Sequence, residues 1–294
     1  MFAFSTEARS ITDPFKEMFG DIQDRLLLEK PINVGEWQSQ KIGTPMRELL
    51  NVVCSYRIPG SRQELARQTG AHLPWAEDHF QERVGGVALN PAPSEAWWPF
   101  AARKDNTTNA AHKSEGEAFS HTYPERMWPK LANGGREEVD HAEGDVWDIT
   151  QSPHQGIRFE YGDLEDIVQI LHKSPMTRQA YLPLWFPEDL TAVREGKRVP
   201  CTLGYGFIMR HGILHMSYFM RSTDLLRHFQ DDIYMAGRLN QWVVEQLNGL
   251  LRDQGDTPVL SSGTLTFHTQ NMHIFDADVD RIKYIKSQGQ TWAE

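Results

Sequence analysis

Apolar positions along the chain recur with two periods, and the change from one to the other divides it into helices and strands. Behind Asp13 as a candidate N-cap and Pro14 at a first helical position, Phe15, Met18, Phe19, Ile22 and Leu26 fall on one face, so a core-facing helix is expected. "SRQELARQTG" opens with Ser61 and Glu64 at capping-box spacing and stops at Gly70, predicting a second, short helix. Leu164, Ile167, Val168 and Leu171 form the stripe of a third, which Pro175 terminates. The pattern then turns to strands in "RQAYLPLWF" (178–186), "CTLGYGFIM" (201–209) and "ILHMSYFM" (213–220), the last two joined as a hairpin at "RHG". In the stretch that opens at Asp231, Leu239, Trp242, Val243, Leu247, Leu250 and Leu251 mark a long buried helix, and "SSGTLTFHTQNMHIFD" (261–276) returns as a strand. Residues 85–122, rich in Gly, Pro, Asn and Ser, read as a loop-rich insertion. The mixture predicts one α/β (α+β) domain over residues 1–294.

Composition narrows the chemistry. With 294 residues, 39% hydrophobic and 24% charged, a sizeable core needs no covalent staples. The net charge of -10 argues against a nucleic-acid partner, because such binding rests on neutralising phosphates. Two cysteines, Cys54 and Cys201, suggest neither a disulfide framework nor a zinc knuckle, and the twelve histidines do not cluster at metal-ligand spacing, so no metal is expected. No apolar run approaches the roughly 20 residues of a membrane span, and the start "MFAFSTEARS" lacks the order of a signal peptide. A soluble, unprocessed, cytoplasmic protein is the expectation.

A lone cysteine at a strand start is most often a small buried hydrophobe. Cys201 has company that changes this: Pro200 before it, Arg221-Ser222-x-Asp224 about one strand later, then Asp232, then His273 within "MHIF". In these residues the chain resembles the thymidylate synthase superfamily, whose signature is Pro-Cys, Arg-Ser-x-Asp, an asparagine at a helix start and His-x-Tyr. The resemblance covers roughly residues 160–276. Upstream, "MRELL" is similar to the segment carrying the family's active-site carboxylate (Glu48), "HLPWAEDHF" to the one with its folate-stacking tryptophan (Trp75), and "HTYPERMWP" to the tyrosine loop over the substrate (Tyr123).

The resemblance implies a three-layer fold with a large mixed sheet flanked by helices, a nucleotide substrate, 5,10-methylenetetrahydrofolate as cofactor, and a homodimer in which Arg178 reaches the partner's site. It implies Cys201 as the nucleophile adding to C6 of a pyrimidine, Glu48 managing proton transfers through water, Arg178 and Arg221 holding the 5′-phosphate, and Ser222 as a further substrate contact. Gln179 stands where the family carries a second phosphate arginine, and His228 where it usually has glycine. Asp224 and Trp75 would meet the folate. His273 would meet the sugar, where Phe275 replaces the family's tyrosine, and Lys130 is a candidate ribose contact or a solvated lysine.

One departure selects the base. Where synthases carry the asparagine that pairs with uracil, this chain has Asp232. Cytosine reverses uracil's pattern, with an N4 donor and an N3 acceptor, and a carboxyl that shares one proton with the ring matches it. The phage deoxycytidylate hydroxymethylases make the same replacement, so the resemblance is closest to cytidylate (CMP or dCMP) 5-hydroxymethylases. The 21 residues after His273 are fewer than the synthases carry, and a shorter lid is expected to admit water to the product-forming step. Other readings are Asp232 as a plain helix N-cap, a thymidylate synthase acting on dUMP, a catalytically silent nucleotide-binding member of the fold, and an unrelated thiol hydrolase, for which no motif places a histidine.

Overall fold

Alternate side chains of the long strands are buried, and this sets which face of the sheet meets the helices. The computed structural model describes residues 2–5, 14–34, 45–99, 118–132, 161–255 and 259–291; Asp13 and much of the 85–122 insertion lie outside them. Its strands are β1 (Phe2–Ser5), β2 (Ile32–Asn33), β3 (Pro45–Arg57), β4 (Tyr181–Pro183), β5 (Thr202–Arg210), β6 (Ile213–Asp224) and β7 (Ser261–Phe275). They form one mixed sheet in the order β1-β3-β7-β6-β5-β4, with β2 paired to β3 off this path. The helices are α1 (Pro14–Leu28), α2 (Arg62–Thr69), α3 (Trp75–Val84), α4 (Tyr123–Met127), α5 (Pro129–Ala132), α6 (Leu164–Lys173), α7 (Glu188–Arg194), α8 (Phe229–Asp253) and α9 (Val279–Ser287). This is the sheet flanked by helices that the resemblance implies, consistent with a three-layer fold.

Val52, Cys54 and Tyr56 of β3, Leu265 and Phe267 of β7, and Leu214, Met216 and Tyr218 of β6 point into the core. There they meet Phe15, Met18, Phe19, Ile22 and Leu26 of α1, the expected stripe, all fully buried. Phe229 at the start of α8 ties the layers together, stacked on Phe15 at 5.8 Å and edge-on to Phe267 at 5.3 Å. On the sheet's second face, Val53, Ser55, Thr264, Thr266, Phe219 and His268 are only half-buried, and Ile208 and Tyr181 are 43% and 45% exposed.

The hairpin forms as expected because His211 and Gly212 both take positive φ (51° and 74°), the geometry a two-residue turn between right-handed strands needs. Helix α6 carries the predicted buried stripe and a full capping box between Asp163 and Asp166. At α2 only half of the expected box closes. Ser61 Oγ accepts from the Glu64 N–H at 3.2 Å, but the Glu64 carboxylate turns forward to Arg67, where a bidentate pair outcompetes a backbone N–H. The strand expected over 178–186 shrinks to Tyr181–Pro183, whose Pro183 has no ladder donor, and the N–H groups of Leu184 and Trp185 both converge on Leu203 O. Helix α8 begins at Phe229, earlier than expected, with His228 at the N-cap. Strand β3 and helices α3 and α9 are elements that periodicity did not announce.

Candidate active site

Cys201 lies immediately before β5, half-buried at the margin of the core. A register shift between Thr202 and Gly204 bends the strand just after it. The bend requires a glycine: a Cβ on Gly204 would stand 2.6 Å from both Leu182 O and the Tyr181 hydroxyl. Arg221 of β6 holds this segment from the neighbouring strand. Its backbone N–H donates to Cys201 O at 2.9 Å, Nε to Pro200 O at 2.9 Å, and Nη2 to Val199 O at 3.2 Å. The second cysteine is different: Cys54 is buried in the core, and burial pushes its thiol well up.

Sheet register brings three of the expected residues into one row. Asp224 of β6 is opposite His273 of β7, which is opposite Glu48 of β3, and two residues away Ser222 is opposite Asn271. His273 Nδ1 pairs with Asn271 Oδ1 at 2.8 Å and lies 3.4 Å from Ser222 Oγ, while its buried Nε2 has no partner among the described residues. Burial pushes His273 down, opposed by the charges of Asp224 and Glu48, so its imidazole is neutral. Asp224 accepts from the N–H groups of Leu226 and Arg227 at 2.9 and 3.1 Å and from Arg227 Nη1 at 2.7 Å. Burial would raise this carboxyl, but the Arg227 charge outweighs it and holds it below the usual range. Arg227 also pairs with Asp278 and lies over the Phe275 ring at 4.4 Å, so Phe275 packs where a tyrosine hydroxyl was looked for.

The adjacent aspartates Asp231 and Asp232 are used in opposite ways. Asp231 is buried, accepting from the His72 N–H at 2.8 Å and pairing with His72 Nδ1 at 3.0 Å, which ties the α2–α3 connection to α8. Asp232 is no N-cap: its own N–H donates to His228 O within the helix. Its Oδ2 accepts from Thr223 Oγ1 at 3.1 Å. Burial pushes Asp232 up to about 7, with the charges of Asp231 and Asp224 adding to it and Arg83 and Thr223 opposing. Near neutrality this carboxyl is therefore poised between acid and base. It acts electrostatically on Tyr218, which with Tyr123 and Thr202 forms a hydroxyl chain beside Cys201: Thr202 Oγ1 lies 3.0 Å from the Tyr218 hydroxyl and donates to that of Tyr123 at 3.3 Å.

The facing wall comes from residues 75–99 and 118–132. Asn90 holds it together, its amide donating to Phe119 O and to the Glu125 carboxylate and its Oδ1 accepting from the Phe119 N–H at 2.8 Å. A full capping box between Thr122 and Glu125 then starts α4, and this presents Tyr123 to Thr202. Arg83, buried and unforeseen from sequence, lies over the Tyr123 ring at 4.1 Å. Trp75 is buried too, stacked on His79 at 5.0 Å with its indole N–H donating to Ser94 O at 3.0 Å. The indole at the Asp224 edge is Trp98, lying flat on His228 at 4.9 Å and 8°. Trp98 and Arg83 carried no motif; an arginine in an otherwise apolar α3 stripe was the available signal for the latter.

Two expected contacts lie outside this arrangement. Lys130 is exposed and paired with Asp166 at 2.6 Å and Asp163 at 3.4 Å, so its charge is taken up by the start of α6. Arg178 and Gln179 are exposed on the turn before β4, and no carboxylate among the described residues pairs with Arg178. Among the described residues no group of His, Cys, Asp or Glu is arranged to hold a metal, and no helix is long and apolar enough to cross a membrane.

No protein-family model matches the chain. Three curated relatives, each described as a putative thymidylate synthase, are similar to part of it. That of Methanococcoides burtonii is 27% identical over 148 residues, 47% of this chain and 62% of its own length. That of Methanosarcina barkeri is 28% identical over 134 residues (45% and 55%), and that of Methanosarcina mazei 25% over 126 (43% and 52%). The chain thus spans little more than half the length of the curated relatives it matches. These likenesses support a relation to the thymidylate synthase superfamily, and not to a hydroxymethylase branch.

Proposed function

We propose that the protein is a folate-dependent one-carbon transferase acting on C5 of a cytidylate, CMP or dCMP, and that its product is the 5-hydroxymethyl nucleotide. The observation that carries this reading is Asp232, a carboxyl poised near pH 7 within reach of the Cys201 hairpin. Thr223 donates to Oδ2, so a proton on the group sits on Oδ1. One oxygen then donates and the other accepts, in the fixed order that N3 and the N4 amino group of cytosine require. A Cys201 thiolate adding to C6 makes C5 nucleophilic, which an aromatic cytosine is not. Glu48, in the row with His273, handles protons through water. Arg221 and Ser222 hold the phosphate and His273 the sugar, its free Nε2 supplying a polar contact. The flat Trp98–His228 stack fits the planar ring of 5,10-methylenetetrahydrofolate, with Asp224 beside it. When bound, that folate supplies the one-carbon unit.

The half-buried second face of the sheet, with Phe219 stacked on His268 at 4.8 Å, supports a homodimer in which exposed Arg178 reaches the partner's site. The description of the curated relatives favours a second reading, methylation of dUMP. One experiment separates the two: tritium release from [5-³H]CMP, [5-³H]dCMP and [5-³H]dUMP with methylenetetrahydrofolate, with mass analysis of products. Release from a cytosine nucleotide with a hydroxymethyl product supports the proposal. Release from dUMP with formation of dihydrofolate replaces it.

A further inference from the structure

We infer that Arg198 is the second guanidinium of the phosphate seat that Arg221 begins, filling the role left open by Gln179. The inference rests on the nucleotide reading above and adds a residue that no motif marks. In the sequence Arg198 ends the polar run "REGKR", which reads as a solvated turn. In the structure it is half-buried, and its Nη1 is fully buried with no hydrogen-bond partner among the described residues. A buried N–H without an acceptor is costly, and a charged one more so, which points to an anionic partner bound during function.

The surroundings specify where that partner would sit. Arg198 is three residues before Cys201, and the two residues between it and Cys201 are the ones whose carbonyls fix Arg221, through Nε and Nη2. The Arg221 guanidinium is therefore held against the segment that carries Arg198 into Cys201, near enough for the two charges to act on one another. No carboxylate among the described residues forms an ion pair with either. Glu95 acts on Arg198 only at longer range, and the third nearby arginine, Arg126, is neutralised by Asp189 through two contacts of 2.7 Å. His121 lies among the three: burial, with the charges of Arg126, Arg198 and Arg221, pushes it down to about 3, so it is a neutral imidazole that can donate one N–H. Two uncompensated guanidiniums in a chain of net charge -10 make a local site for a dianion such as a phosphate monoester.

Arg198 could instead stabilise the Cys201 thiolate, whose charge also acts on it. Protection of Cys201 from iodoacetamide by inorganic phosphate, followed by mass spectrometry, distinguishes the two roles; Cys54 is buried and stays silent. Phosphate is expected to slow alkylation of the unaltered protein. In Arg198→Gln the half-protecting concentration should rise about tenfold or more, whereas Lys197→Gln, which alters an exposed neighbouring cation, should leave it unchanged. Should Arg198→Gln fail to fold, Arg198→Lys carries the test, with an expected rise of roughly threefold or more through loss of the planar fork. Equal protection in the folded variants overturns the inference, as does slower alkylation without phosphate combined with unchanged protection. Absence of any phosphate protection in the unaltered protein also overturns it. Arg198-dependent phosphate protection in a protein that releases tritium from no pyrimidine nucleotide would leave the seat standing and remove the hydroxymethylase reading.

Discussion

The two walls of the site are built by different means. The β6–β7–β3 wall places Ser222, Asp224, His273 and Glu48 by strand register, so main-chain pairing fixes their relative positions to within one residue. The wall formed by residues 75–99 and 118–132 places Arg83, Tyr123 and Trp98 by side-chain clips: the Asn90 amide, the Thr122–Glu125 box and the Trp98–His228 stack. A sheet register cannot yield by small steps, whereas a clipped wall can. On the proposed function the sheet wall, with Cys201 on the neighbouring hairpin and Asp232 on α8, carries the chemistry, and the clipped wall tunes access and affinity.

The largest effect should come from the sheet side. Cys201→Ala should abolish tritium release, by about 10⁴-fold or more, while leaving the thermal midpoint close to that of the unaltered protein because the residue lies at the core's margin. A folded variant with substantial turnover would remove Cys201 as nucleophile and break the assignment of chemistry to the sheet side. Asp232→Asn should shift the cytosine-to-uracil preference by roughly 10²-fold towards uracil, read as a ratio of kcat/KM values; an unchanged ratio would remove Asp232 as selector.

The same carboxyl predicts a pH dependence. Its folded value lies above that of an unfolded aspartate, so its contribution to stability is full below the ordinary carboxyl range and is lost as pH rises through about 7. Denaturant midpoints should fall across that window in the unaltered protein and change less in Asp232→Asn. Cytidylate turnover should lose the protonated partner over the same interval. On the clipped wall the effects should be smaller. Asn90→Ala should cost on the order of 1–2 kcal/mol of stability and raise KM more than it lowers kcat, as steady-state kinetics would show. A kcat loss approaching that of Cys201→Ala would mean that the two walls are not distinct in kind.

Much of the first wall was legible in the sequence, and the reason is physical. Regular strands and long helices repeat, so the hairpin, α1, α6, α8 and β7 announce themselves through spacing, and the motif residues ride on those elements. Strand β3 escaped because its alternation breaks at Leu49-Leu50-Asn51, where Asn51 takes a positive φ of 54° and both Leu50 and Asn51 face out. Glu48 was therefore found by likeness before the strand that aims it. Arg83, Trp98 and Arg198 were hidden for another reason. Whether an arginine in a polar run is solvated or buried depends on what folds over it, and here that cover comes from residues far away in sequence. Trp75 had the attractive motif, yet Trp98 is the indole stacked on His228, while Ser94 O accepts from the Trp75 indole within its own wall.

The β5–β6 turn at His211 and Gly212 offers a practical use. Nine residues of β5 separate it from the Cys201 end, roughly 30 Å at the rise of an extended strand. His211 is exposed and the turn makes no part of either wall. A fluorophore or surface tether attached at residue 211 would report on the protein from its far end, leaving the reactive thiol open to solution and the immobilised molecule uniformly oriented.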